Sequence, residues 1–153
     1  MKPNILICFT ILIGIYSCSH KTIPTTANVN YISSSDGTLT MHTIGVGKNM
    51  KAAIFNAEKN VFEVLLFRGL PNTAQKLAIL GYNDFEIKQN NQAYFQKLYE
   101  ESRYKTFLMY TNPISNLIKI GGGNYSITAE VQINLLSLKK DLEENNVLRK
   151  FGY

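Results

Sequence analysis

The residues able to do chemistry on a substrate are few and widely separated. His42 and His20 are the two histidines of the 153-residue chain. His42 stands in an apolar, β-branched run, where an imidazole is more often a structural or surface group than a general base. The acids Asp84, Glu86, Glu100, Glu101, Glu130, Asp141, Glu143 and Glu144 are scattered. Glu100 and Glu101 are neighbours, so on a helix they diverge by roughly 100° and cannot face one another. No cysteine–histidine cluster has zinc spacing and no acidic run has calcium-loop spacing, so the expected metal is none. No Gly-x-Ser-x-Gly elbow occurs. Gly45-Val46-Gly47-Lys48 invites a phosphate-loop reading that fails on spacing. A P-loop needs glycine where His42 stands and Ser or Thr where Asn49 stands; a dinucleotide fingerprint needs glycine at Met50. Those glycines read instead as permission for a tight strand-to-helix turn. The inventory argues for a protein that is not an enzyme, with no catalytic residues and no cofactor.

The elements around these residues follow from periodicity. Thr38 to Gly47 is β-rich and opens after Asp36-Gly37, with an apolar phase shift between Met41 and Ile44 that suggests a bulge or a strand buried on both faces. Met50 to Arg68 is a long helix closed by Gly69 and Pro71. Ala53, Ile54, Ala57, Val61, Val64 and Leu65 share one arc, and the small Ala53 and Ala57 would let a sheet approach closely. A second ridge, Phe55, Phe62 and Leu66, lies roughly opposite. Either another helix of the domain covers it or it is a partner surface; internal cover is favoured, because exposed aromatic patches are uncommon on monomers. Leu70 to Glu86 reads as a long connection with a helical turn near 73–79. Gln89 to Ser102 reads as a second helix able to cover Phe55 and Phe62.

Tyr104 to Thr111 is a strand candidate halted by Asn112-Pro113, and 114–120 reads either as a helical turn or as a short strand. Asn124 to Leu135 alternates without a break, with Tyr125, Ile127, Ala129, Val131, Ile133 and Leu135 on one side, which specifies a long strand with one wet face. Ser137 is a plausible N-cap for a last helix over Leu138 to Glu144, and Val147 to Tyr153 is an apolar, basic tail that would tuck back. The expected fold is α+β: a single domain over 38–153 with an antiparallel sheet of about three strands packed against two to three helices.

Composition is globular, with 45% apolar and 18% charged residues. The formal net charge of +5 comes from scattered lysines and arginines without a basic run, which gives no support to a nucleic-acid partner. Residues 18–37 are polar, Thr/Ser/Asn-rich and unpatterned, the composition of a flexible tether.

Before that tether, Lys2 and an apolar run from Ile5 to Ile15 precede Ile15-Tyr16-Ser17-Cys18. The run is too short for the roughly 20 residues of a transmembrane helix and has the layout of a signal segment. The four residues resemble the lipobox of Gram-negative bacterial lipoproteins. The resemblance implies that 1–17 is a removable signal peptide, that Cys18 is acylated (palmitate among its chains), and that the mature protein is a membrane-anchored lipoprotein. Ser19, with no acidic cluster after it, implies by the same analogy the outer membrane, facing the periplasm. Cys8 leaves with the signal, so the remaining domain has no cysteine pair and must be held by packing.

Gly45, Gly47, Ala52, Ala53, Ala57 and Val61, in the order strand, Gly-x-Gly, Ala-rich helix, then strands and helix, resemble small lipoproteins related to the N-terminal domain of flagellar assembly protein T. That resemblance spans 38–146 and implies a non-catalytic assembly or binding component with an envelope protein as partner. The alternative is a surface-exposed lipoprotein that binds a glycan or other ligand, for which Tyr82, Tyr94, Tyr99, Tyr104 and Tyr110 are the aromatic candidates.

Overall fold

A computed structural model describes residues 28–149. The signal segment, Cys18, His20, the rest of 18–27 and residues 150–153 lie outside the described residues. The alternating segment forms the central strand of the sheet, and every other element is placed with respect to it. The strands are β1 (Val29–Ser35), β2 (Thr38–Gly47), β3 (Leu108–Pro113), β4 (Ile118–Gly121) and β5 (Asn124–Asn134). The order is β1-β2-β5-β3, with β4 also pairing β5, and all pairings are antiparallel. Ile127, Ala129, Val131 and Ile133 point inward and are buried, while the residues between them are half-buried on the opposite face.

The class is α+β, as expected, but the sheet has five strands where about three were expected. One addition is β1, which lies inside the segment assigned to the tether. Only Val29 of β1 is buried, so its polar composition is that of a solvated edge strand, held by backbone pairing to β2 rather than by side chains. The other is β4, whose short apolar run forms a hairpin with β5 through Gly121-Gly122-Gly123. The phase shift in β2 is not a bulge, since the β2–β5 register is unbroken from Thr38 to Gly47. Thr43 simply takes an inward position and satisfies its hydroxyl on the Ala57 carbonyl oxygen at 3.2 Å, leaving Ile44 on the outer face.

Helix α1 (Met50–Phe67) lies across the inner face. Asn49 caps it, its side chain accepting from the Ala52 N–H at 2.9 Å. The glycines of β2 let α1 come close: a Cβ added at Gly45 would stand 1.9 Å from the Ala53 carbonyl oxygen, and one at Gly47 2.5 Å from the Ala53 nitrogen. β1 stops opposite Thr43, and α1 takes over the pairing beyond it. Asn56 Oδ1 accepts from the Val46 N–H and Asn60 Nδ2 donates to the Ile44 carbonyl oxygen, both at 2.9 Å. Two amides one helical turn apart thus stand in for a missing strand.

The expected helix over 89–102 is two, α2 (Asp84–Asn90) and α3 (Gln92–Tyr99), because the Asn91 backbone leaves the helical region. The residues expected to begin a strand at Tyr104 form a 3₁₀ turn, Arg103–Phe107, entered through a left-handed Ser102. Thr73 to Ile79 holds turns and no helix, and its connection is fastened to α1 by Ile79 and Leu80 amides donating to the carbonyls of Leu65 and Leu66. Helix α4 (Leu135–Glu144) starts earlier than expected and is capped by Asn134, not Ser137. Val147 and Leu148 pack against the core. Core residues come from the inner sheet face, α1, α3, the 3₁₀ turn and α4; among the described residues, the outer face of the sheet carries no helix.

Candidate functional site

Of the ridge Phe55, Phe62 and Leu66, the fold covers two members. Phe62 and Leu66 are fully buried, while Phe55 keeps 39% of its surface. The rings set against Phe62 come from the 3₁₀ turn, where α3 was expected to provide the cover. Tyr104 sets its ring edge against Phe62 at 5.6 Å and against Phe55 at 5.9 Å, and Phe107 lies 6.5 Å from Phe62. Phe62 and Leu66 therefore belong to the core and cannot serve as a partner surface; Phe55 can.

Phe55 divides a groove running between α1 on one side and α3 with the 3₁₀ turn on the other. One lobe, about 810 Å³, is lined by Met50, Lys51, Ile54, Glu58, Tyr104 and Lys105; the other, about 680 Å³, by Lys59, Lys88, Gln92, Phe95, Gln96 and Tyr99. Phe55 and Ser102 line both. Glu58 is buried, and its Oε2 accepts from the Tyr104 hydroxyl at 2.8 Å. Burial, then that hydrogen bond, pushes the ionisation of Tyr104 far above the usual phenol range. Lys88 is held by Glu63 at 2.7 Å and lies over the Phe67 ring at 4.7 Å. Lys59 sits over the Tyr99 ring at 5.0 Å. Among the described residues, Lys51, Lys59 and Lys105 have no carboxylate partner within ion-pair distance.

The Tyr99 hydroxyl is buried and makes no hydrogen bond in the structure. Burial, then the neighbouring Glu63 charge, raises its ionisation well above the ordinary value. Groove chemistry is thus aromatic and amide surface with free ammonium groups beside the carboxylates of Glu58 and Glu100, which suits a ligand carrying planar or apolar groups with charged ones. It offers no proton-transfer pair aimed at a common point.

The remaining tyrosines do not form one exposed cluster. Tyr94 is buried, its hydroxyl donating to Asp141 at 2.8 Å while Arg103 grips the other carboxylate oxygen. Tyr82 is exposed on the long connection, and Tyr110 lies on the outer face of the sheet. There Glu130 Oε1 accepts from the Tyr110 hydroxyl at 2.9 Å and Oε2 lies 3.1 Å from His42 Nε2. The Tyr110 bond, then the His42 bond, holds the Glu130 carboxyl below the usual range. His42 lines none of the three cavities described, the third lying at the edge of β1 beside Leu70. No group of three or more metal-ligating side chains occurs among the described residues.

Nothing in the sequence tied Glu58 to Tyr104, Asp141 to Arg103 or Glu130 to His42; the available signal was an acid set beside apolar helix positions, as Asp141 is between Leu138 and Leu142. Comparison with protein-family models, curated proteins and solved structures finds no match to this chain.

Proposed function

We propose that this chain is a lipid-anchored, periplasm-facing lipoprotein of the outer membrane that acts as a non-catalytic assembly or binding component, and that the α1 groove is where it holds its partner. The observation that carries the binding reading is Phe55, half-exposed between two lobes and flanked by the unpaired Lys51, Lys59 and Lys105. An aromatic anchor ringed by cations is the composition of an interface centre rather than of a solvated helix face. The anchor reading is supported by the run before Cys18 and by the resemblance of residues 15–18 to a lipobox.

Gln92 and Gln96 beside Tyr99 and Phe55 favour a second reading, in which the same groove takes an acidic glycan. Co-purification from detergent-solubilised membranes separates the two. A stoichiometric envelope protein, lost on Phe55→Asp, supports the assembly reading; its absence together with glycan binding sinks it. Cys18→Ser should release the protein from the membrane fraction, and a mutant that stays bound contradicts the anchor.

A further inference from the structure

The sheet has one end with a composition unlike the rest of the domain. At that end lie the close of β2, the first turn of α1 and the β4–β5 hairpin, since Gly47 pairs with Tyr125 and Ile118 with Ser126. Ile118 and Ile120 are 56% and 51% exposed, and Ile114, Leu117 and Met50 are also exposed. A Cβ built on Gly121 or Gly123 meets no atom within 4 Å, so the hairpin tip stands clear of the domain. The stretches at this end, 45–52 and 114–127, contain no Asp or Glu but do contain Lys48, Lys51 and Lys119. None of these three lysines has an ion-pair partner among the described residues.

The first strand points away from this end, although it begins midway along β2. β1 starts at Val29 opposite Thr43 and runs toward Ser35 opposite Thr38. Eleven residue steps separate Val29 from Cys18, so whatever path they take, an anchor at Cys18 is no farther than about 40 Å from the start of β1. A tether of that reach leaves the basic, apolar hairpin free to meet the surface that holds the domain.

We infer that the β4–β5 hairpin is a membrane-docking element: Leu117, Ile118 and Ile120 enter the headgroup–acyl boundary while Lys48, Lys51 and Lys119 meet anionic phospholipid headgroups. The inference rests on the lipid-anchor reading for its geometry, but its chemistry is separate. Aliphatic side chains flanked by lysine fit an interfacial site, and each lysine near an anionic surface contributes about 1 kcal/mol. Docking would fix the orientation of the domain and of the groove opening beside Met50 and Lys51.

The chain has no tryptophan, so a single one reports depth. Full-length lipidated protein carrying Ile118→Trp, and a control carrying Leu136→Trp at the opposite end beside Gly37, are reconstituted in phosphatidylethanolamine–phosphatidylglycerol vesicles with acyl-brominated lipid. Docking gives a blue-shifted Ile118→Trp emission quenched by the bromines and a Leu136→Trp emission that is neither. Adding Lys119→Gln shifts the docked-to-free ratio by roughly fivefold. Water-like, unquenched emission from Ile118→Trp in vesicle-bound protein overturns the inference. So does a blue shift without vesicles in a protein of dimeric mass, which assigns the patch to a second copy. Intact mass reads Cys18 acylation on the same sample: if Cys18 carries no lipid the anchor reading fails, while quenching on added vesicles still supports the hairpin and its absence still overturns it.

Discussion

The Tyr104 hydroxyl donates to Oε2 of Glu58 at 2.8 Å, with the Tyr104 residue fully buried and Glu58 only 7% exposed. This contact closes the floor of the groove and ties the 3₁₀ turn to α1. A buried carboxylate with its donor removed bears its full desolvation cost. Tyr104→Phe should therefore lower stability by about 1–3 kcal/mol, and Glu58→Gln, which keeps a hydrogen-bonding group without the charge, by less. Urea unfolding midpoints of the two variants check this; equal stability of Tyr104→Phe and wild type would mean that the bond contributes nothing.

The approach of α1 to β2 makes a sharper prediction. A methyl at Gly45 would lie 1.9 Å from the Ala53 carbonyl oxygen and 2.6 Å from the Ala57 nitrogen. These are backbone atoms, so no side chain can turn aside. Gly45→Ala should cost at least the roughly 1–3 kcal/mol of overpacking, measured as a lower thermal midpoint or loss of folded protein. Ala57→Ser, on the facing helix, tests the same clearance from the other side.

How far the fold was legible follows from which forces act locally. β5 was plain because its alternation is unbroken over the whole strand, and α1 because its apolar arc and its closing glycine and proline agree. Ala53 and Ala57 announced the close approach of a sheet, whereas Gly45 and Gly47, expected to permit a tight turn, instead make room for the α1 backbone. β1 was hidden, since an edge strand needs pairing and not apolar side chains, and Asn-Tyr-Ile-Ser-Ser-Ser has the composition of a linker. Ser102 hid the 3₁₀ turn, since a left-handed non-glycine residue has no clear sequence signature. The groove was half legible. The two-faced character of α1 pointed to Phe55, Phe62 and Leu66, but which of them stays exposed depends on Tyr104 and Phe107, many residues away. Glu130 and His42 face each other only because of the β2–β5 register.

Stability should fall at both ends of the pH range, for different groups. Tyr94, Tyr99 and Tyr104 all have ionisations raised in the folded protein, chiefly by burial. Their contribution is complete below the ordinary phenol value of about 10 and is lost as pH rises past it. Tyr110 is raised too, first by its Glu130 bond, so above that pH the unfolded chain releases up to four phenolic protons that the folded protein keeps; denaturation should be steep, and Tyr104→Phe should flatten the slope. Glu130 is lowered, so its contribution is present above the usual carboxyl value of about 4.3 and fades as pH falls through its lower folded value. Glu130→Gln should flatten the acid limb and, because the Glu130 bond is the first cause of the raised Tyr110 ionisation, remove the Tyr110 share of the alkaline one as well. Equilibrium unfolding across pH reads both.

Photocrosslinking in living cells tests the binding role of the groove most directly. A photoreactive residue at Phe55, between the two lobes, is compared with one at Leu136, exposed at the far end of the sheet. The proposal predicts a single envelope protein crosslinked from position 55, absent from position 136 and lost when Lys59→Glu reverses the charge over Tyr99. No adduct from position 55, or the same adducts from both positions, would contradict the assignment of the groove as the site where this protein holds its partner.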